Sequence, residues 1–325
     1  MSPKEEFENA LECKTQANSI PLWELEFHLW DKFSGKSFYA GEDFVKLSAA
    51  EKESALHTNA EIIELVSEML AFSAVTIPGG YWEIASGIPA YWWLPEEYRI
   101  KQAVILHKLI GNKIMLVANT GGVLAMPSAD NYVDFAISLF ESPEKVDDQA
   151  IKIYQQGIDN VNKYFDLGIQ TFLTASDIAD NSGPFFNPEQ MERFVLPYLE
   201  RWAAHIKQIG GMSILHSDGN LNLYLDRIAD TGVNALQAID PVAGMDIRKA
   251  KQQVGNKLCV CGNIDVGKLI TESPESIYNE VKWLLDFMKV KPGFVLGASN
   301  AVQKEIAINN YLALVEAKRD FRKGE

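Results

Sequence analysis

Apolar residues along this chain fall in short runs that stop at turn or polar residues, a spacing that predicts β-strands. Eight such runs occur: PLWELEF (21–27), FSAVTI (72–77), KIMLVA (113–118), IQTFLTA (169–175), MSILH (212–216), VNALQAI (233–239), LCVCG (258–262) and FVLGA (294–298). Between most of them the period changes to that of a helix. Met191, Phe194, Val195, Tyr198, Leu199, Trp202 and Ile206 lie on one apolar stripe. Asn187-Pro188-Glu189-Gln190 and Ser273-Pro274-Glu275 read as helix entrances, each with a capping side chain and a proline in the first turn. Gly168, Gly210, Gly232 and Gly255 stand at or near helix ends.

Eight strands separated by helices specify a parallel sheet, because parallel neighbours need crossovers, and eight is the number that closes on a side-chain-filled interior. The predicted fold is an α/β (β/α)8 TIM barrel forming a single domain over 1–325, with an N-terminal helical extension and a long aromatic loop after the second strand. An open doubly wound sheet is the alternative, but no strand runs into a glycine-rich dinucleotide fingerprint. The loop is YWEIASGIPAYWWLPEEY (81–98), with six aromatic side chains, three glutamates and no lysine or arginine, broken by Gly87, Pro89 and Pro95. Long ordered loops of this kind usually serve function.

Composition narrows the chemistry. The chain is 47% apolar and 23% charged, as ordinary globular proteins are. The charged start MSPKEEFENALECK has no signal-peptide core and no run is long enough to span a bilayer, so a cytoplasmic location is expected. A net charge of −14 with seven arginines argues against nucleic acid and against polyanionic substrates. Cys13, Cys259 and Cys261 make no disulfide framework, and the last two, alternating in a strand, read as core packing.

A barrel of this kind builds its active site just past the C-terminal ends of its strands. The residues there are Glu26 and His28; Tyr81, Trp82 and Glu83; Asn119 and Thr120; Asp177, Asp180 and Asn181; His216 and Asp218; Asp240; Asn263 and Asp265; Ser299 and Asn300. Strand-end polar groups also cap helices, which is an equal reading for Asp177, Asp240, Asp265 or Asn300 taken singly. His216 with Asp218 admits three readings: a metal-ligand pair, a general acid/base with its orienting partner, or a satisfied buried histidine.

The run His216-Ser217-Asp218-Gly219-Asn220, the segment Cys261-Gly262-Asn263-Ile264-Asp265, the helix start Pro274-Glu275-Ser276 and the run Leu296-Gly297-Ala298-Ser299-Asn300 resemble the uroporphyrinogen decarboxylase superfamily over nearly the whole chain. That resemblance implies an eight-stranded barrel acting either as a porphyrinogen decarboxylase or as a methyltransferase serving corrinoid proteins. The decarboxylases carry arginines after Pro-x-Trp on the first strand, for substrate carboxylates. Here Pro21-x-Trp23 is kept but Glu26 and Trp30 stand in their place, and Ile77 is followed by Pro78-Gly79-Gly80-Tyr81 instead of a catalytic aspartate. The coenzyme M branch carries His-x-Cys and a further Cys as zinc ligands, where this chain has His216-x-Asp218 and Ala298-Ser299. The aryl methyl ether O-demethylase component is similar through residues 80–83, 177–186 and 239–246.

That resemblance implies transfer of a methyl group from a methoxylated aromatic, of the vanillate or veratrole type, to the cob(I)amide of a partner corrinoid protein. Tyr81, Trp82, Tyr91, Trp92 and Trp93 would stack the ring. His216 and Asp218, with Glu83 and Asp177, would serve the departing phenolate as proton donors, or His216, Asp218 and Glu83 as ligands of a zinc ion. Glu26, Asn181, Asn263, Ser299 and Asn300 would orient the other substrate oxygens. A methylamine or thiol methyltransferase, and a binding protein for small aromatics, are the alternatives.

Overall fold

A computed structural model describes residues 1–14, 19–79, 83–85 and 88–323. Seven parallel strands form one curled sheet in chain order: Ala74–Thr76, Met115–Asn119, Thr171–Ala175, Met212–His216, Ala235–Gln237, Cys259–Ile264 and Phe294–Ala298. Each lies within or overlaps a run picked out by the apolar pattern. The architecture is a (β/α)8-type barrel.

The eighth member departs from expectation. PLWELEF forms no regular strand, only isolated parallel bridges from Leu22 to Leu296 and from Phe27 to Val302. It still closes the sheet, since Pro21 O accepts from Leu296 N on one edge and Leu22 O accepts from Ser73 N on the other. Side chains replace the missing ladder. The Ala298 N–H donates to Glu24 Oε2 at 2.8 Å, the Thr76 hydroxyl donates to Glu24 O at 3.1 Å, and Trp23 Nε1 donates to Thr76 Oγ1 at 3.0 Å. Pro21 has no N–H to give, so side-chain partners keep the buried polar groups of this seam satisfied.

Strand alternation splits the core in two. The inward set, Trp23, Leu25, Met115, Val117, Leu173, Ile214, Cys259, Cys261 and Val295, fills the barrel, and Phe7, Ala10 and Leu11 join it from below. Those three come from the first helix, Pro3–Leu11, whose entry is a Ser2/Glu5 capping box with proline in its first turn. The outward set packs against the surrounding helices. The stripe from Met191 to Ile206 is buried as expected. It runs through a widened turn at Met191–Val195 just before Pro197, which cannot donate to the turn below. Asn187/Gln190 forms the expected capping box and Ser273 caps Pro274–Met288.

Candidate functional site

His216 ends its strand as the last buried side chain before the mouth, with 5% of its surface exposed. Its ring is fixed from behind by Gln237, two strands' breadth of sequence away but directly paired with it in register. Gln237 Nε2 donates to the carbonyls of Ala298 and Ser299, both at 3.3 Å, so its Oε1 is the atom that faces His216 Nδ1 at 2.5 Å. A carbonyl oxygen accepts only, so Nδ1 carries a proton, and in the neutral ring it is Nε2 that turns its lone pair toward the mouth. Asp177 Oδ1 lies 3.6 Å from that Nε2 and Asp218 Oδ1 3.9 Å.

The carboxylates are held as firmly. Asp218 N donates to Asp177 Oδ1 at 2.9 Å, and Asn300 Nδ2 donates to Asp218 Oδ2 at 2.6 Å. Gly219 makes the turn possible: its φ is +90°, and a Cβ there would lie 2.5 Å from Ala179 O. Burial, above all, pushes the Asp218 carboxyl up to about 6; Asp177 and Asp240 add to the rise, while His216 and the Asn300 hydrogen bond oppose it. Nitrogen and oxygen atoms of Asp177, His216 and Asp218 lie within 4.8 Å of one another. With His216 Nε2 unprotonated, one imidazole and two carboxylates fit a divalent ion of the zinc class and leave coordination positions open.

Asp177, His216, Asp218 and Asn300 line a cavity of about 480 Å³ together with Glu26, Met126 and small apolar neighbours; no lysine or arginine is among its described lining residues. Met126 N donates to Asp177 O at 2.7 Å, which ties the loop after the Met115–Asn119 strand into the wall. Glu26 is 2% exposed, and its Oε2 meets His28 Nε2 at 2.9 Å.

Other expected residues stand elsewhere. Trp92 does not face the mouth: it is 1% exposed and packs in a three-ring cluster with Trp30 and Phe38, with centroids 6.3 and 6.0 Å away and rings tilted by 12° and 11°. Ring burial in the core outweighs its proximity to the site. Tyr91 and Trp93 are half-buried, and Tyr91 lies under the ammonium of Lys304 at 3.5 Å. Tyr81 and Trp82 lie outside the described residues, as does the Glu83 side chain; among the described residues the metal-type cluster is His216 and Asp218 with Asp177. Asn181 is exposed in the turn between Ala179–Asp180 and Gly183–Pro184, away from the described cavity lining. Asn263 donates to Ile239 O at 2.8 Å and Ser299 is buried, its carbonyl held by Gln237. Asp265 caps the helix Val266–Thr271 and Asp240 closes a turn through Val242 N. Cys259 and Cys261 are core residues, as the sequence pattern suggests. Gln237 was missed. It sits inside an apolar run, where a single amide at a buried strand end is the signal that a polar partner lies next to it.

Among the described residues no helix is long and apolar enough to cross a membrane. A family model described as uroporphyrinogen decarboxylase (URO-D) matches residues 128–321. The matched stretch holds Asp177, His216, Asp218, Gln237 and Asn300; Glu26 and the ring-rich loop precede it. The uroporphyrinogen decarboxylase of Ruthia magnifica subsp. Calyptogena magnifica is 25% identical over 230 residues, 67% of this chain and 64% of that protein. The one from Carboxydothermus hydrogenoformans is 25% identical over 237 residues, 70% of this chain and 65% of that protein. The chain thus spans just under two thirds of the length of these curated relatives. Among solved structures, a methyltransferase from Methanosarcina mazei aligns over 99% of both chains with a TM-score of 0.65 at 17% identity, which bears on the fold alone. With its family model covering more than half of the chain and the side chains of Asp177, His216, Asp218 and Asn300, this chain belongs to the uroporphyrinogen decarboxylase family.

Proposed function

We propose that the protein is a methyltransferase that takes the methyl group of a methoxylated aromatic compound and passes it to the cob(I)amide of a partner corrinoid protein. The observation that carries this reading is the charge of the cavity: Asp177 and Asp218 beside His216, with no described lysine or arginine in the lining. A substrate bearing many carboxylates, as the decarboxylase relatives' name implies, would meet like charge there without a cation to receive it. A neutral arene is not repelled, and about 480 Å³ is ample for a single substituted ring.

His216, Asp177 and Asp218 would hold a divalent ion, which would supply a Lewis acid for the ether oxygen as it leaves. The chain's own part is positional. Gln237 keeps the proton on Nδ1, Asn300 fixes the Asp218 oxygen that points away from His216, and the Asp218 backbone anchors Asp177. Without the ion, Asp218, whose carboxyl is raised to about 6 chiefly by burial, would instead retain a proton at mildly acidic pH for the departing phenolate. The partner's reduced cobamide supplies the attacking nucleophile, so the mouth must admit it.

The test is direct. Purified protein, a reduced corrinoid protein and a panel of methoxyarenes should yield the free phenol and a methylated corrinoid. Intact ethers across the panel, or decarboxylation of uroporphyrinogen, would overturn the proposal. A cationic methylamine suits the same acidic lining and belongs in the panel as the second donor class.

A further inference from the structure

The Glu26 carboxyl is half-used. Its Oε2 is taken by His28 Nε2 at 2.9 Å, but Oε1 is sealed from solvent and meets no donor among the described residues. His28 is itself pinned, 7% exposed and packed against Tyr91 and Trp92 with ring centroids 5.5 and 5.8 Å away, so it anchors one oxygen of the carboxyl and leaves the other to be matched. Glu26 belongs to the wall of the cavity that holds His216, Asp177 and Asp218. Buried acceptors in folded proteins nearly always find a donor, and an unmatched carboxyl oxygen costs more than a neutral one. Nothing described in this wall supplies that donor.

We infer that Glu26 is a specificity-determining residue that turns its unmatched oxygen into the cavity to accept a hydrogen bond from a hydroxyl or ammonium group on the methyl donor, selecting arenes that carry such a group and rejecting those with a carboxylate in its place. The inference rests on the reading of the site as a demethylase. The methyl donor therefore presents two ends: an ether oxygen toward His216 and Asp177, and a hydrogen-bond donor toward Glu26. A carboxylate in that second position would face Glu26, Asp177 and Asp218 together, with no described cation in the lining to balance it.

The experiment compares 2-methoxyphenol, which has the donor, with 1,2-dimethoxybenzene, which lacks it, and 2-methoxybenzoate, which replaces it with an anion. The wild-type protein should favour 2-methoxyphenol over both others in kcat/KM. Glu26→Ala should raise KM for 2-methoxyphenol about tenfold or more, the scale of one hydrogen bond to a charged group, and leave KM for 1,2-dimethoxybenzene within about threefold. Glu26→Gln, which keeps an accepting oxygen, should recover part of the loss. Equal losses on both substrates, or none, would overturn the inference. Should the variants not fold, calorimetric binding to the wild-type protein decides: catechol binding tighter than benzoate by about tenfold upholds it, and benzoate binding equally or better overturns it. If no methoxyarene is demethylated but catechol binds and loses affinity in Glu26→Ala, the demethylase reading fails and the role of Glu26 stands.

Discussion

At its N-terminal end the barrel is filled by Trp23, Met115, Leu173, Cys259 and Val295 and stoppered by Phe7 and Leu11 of the first helix. At the other end the strands finish in His216, Gln237 and the turns that carry Asp177, Asp218 and Asn300. Both ends are dense with contacts, but the lower end trades only in apolar area while the upper end trades in hydrogen bonds that orient a few polar atoms. The difference teaches that one set of strands can carry stability and chemistry without sharing residues between them. Substitutions below should therefore move folding alone, and substitutions above should move activity alone.

The hardest blow to this division is His216→Ala. It should lower the proposed demethylation by about 10²- to 10⁴-fold, the range for loss of a general acid or Lewis-acid ligand, while the thermal midpoint shifts little. Metal content measured on the same variant separates the two roles, since loss of a bound divalent ion accompanies only the ligand role. Phe7→Ala at the opposite end should cost about 3–5 kcal/mol of stability, read by denaturant unfolding, with kcat unchanged at a temperature where the protein stays folded. A drop in kcat without a drop in stability would break the comparison. Gln237→Leu should leave the histidine in place but free its Nδ1, weakening divalent-ion affinity about 10- to 100-fold by equilibrium dialysis.

The smallest effect is one of pH. Burial, above all, pushes Glu24 up to about 8, against the hydrogen bonds it makes with Ala298 N and the Tyr311 hydroxyl. A carboxyl raised in the folded state binds its proton more tightly there than in the unfolded chain, so its stabilising contribution is full below the unfolded value and is lost as pH rises through the folded one. For Asp218 that window runs from 3.8 to about 6, and for Glu24 from 4.5 to about 8. The fall in thermal midpoint above about pH 6 is then mainly that of Glu24, and Glu24→Gln should flatten it. An unchanged slope in Glu24→Gln would show that the carboxyl is already ionised in its seam.

Much of this could be read in the sequence because its signals are local. Seven strands announce themselves as apolar runs, and the entrances at Asn187 and Ser273 by their capping residues. The eighth strand is misread because an apolar run reports burial, not pairing, and at Glu24 the carboxyl takes the place of a ladder partner. In the site, His216, Asp177, Asp218 and Asn300 are legible as polar residues after strands. Gln237 is not, since its importance lies in which atom it presents across the sheet, a fact of register. Trp92 is overread: its sequence neighbours place it near the mouth, but whether a ring points to solvent or core is settled by packing from Trp30 and Phe38, far away in sequence.

The seam at Glu24 and Ala298 joins positions 274 residues apart. Barrel closure therefore waits until Ala298 has left the ribosome, and until then the first helix has no finished cylinder to plug. During synthesis the Leu22 and Val260 edges stand open together, so truncated chains ending before about residue 290 should be the forms that chaperones hold and that associate with one another.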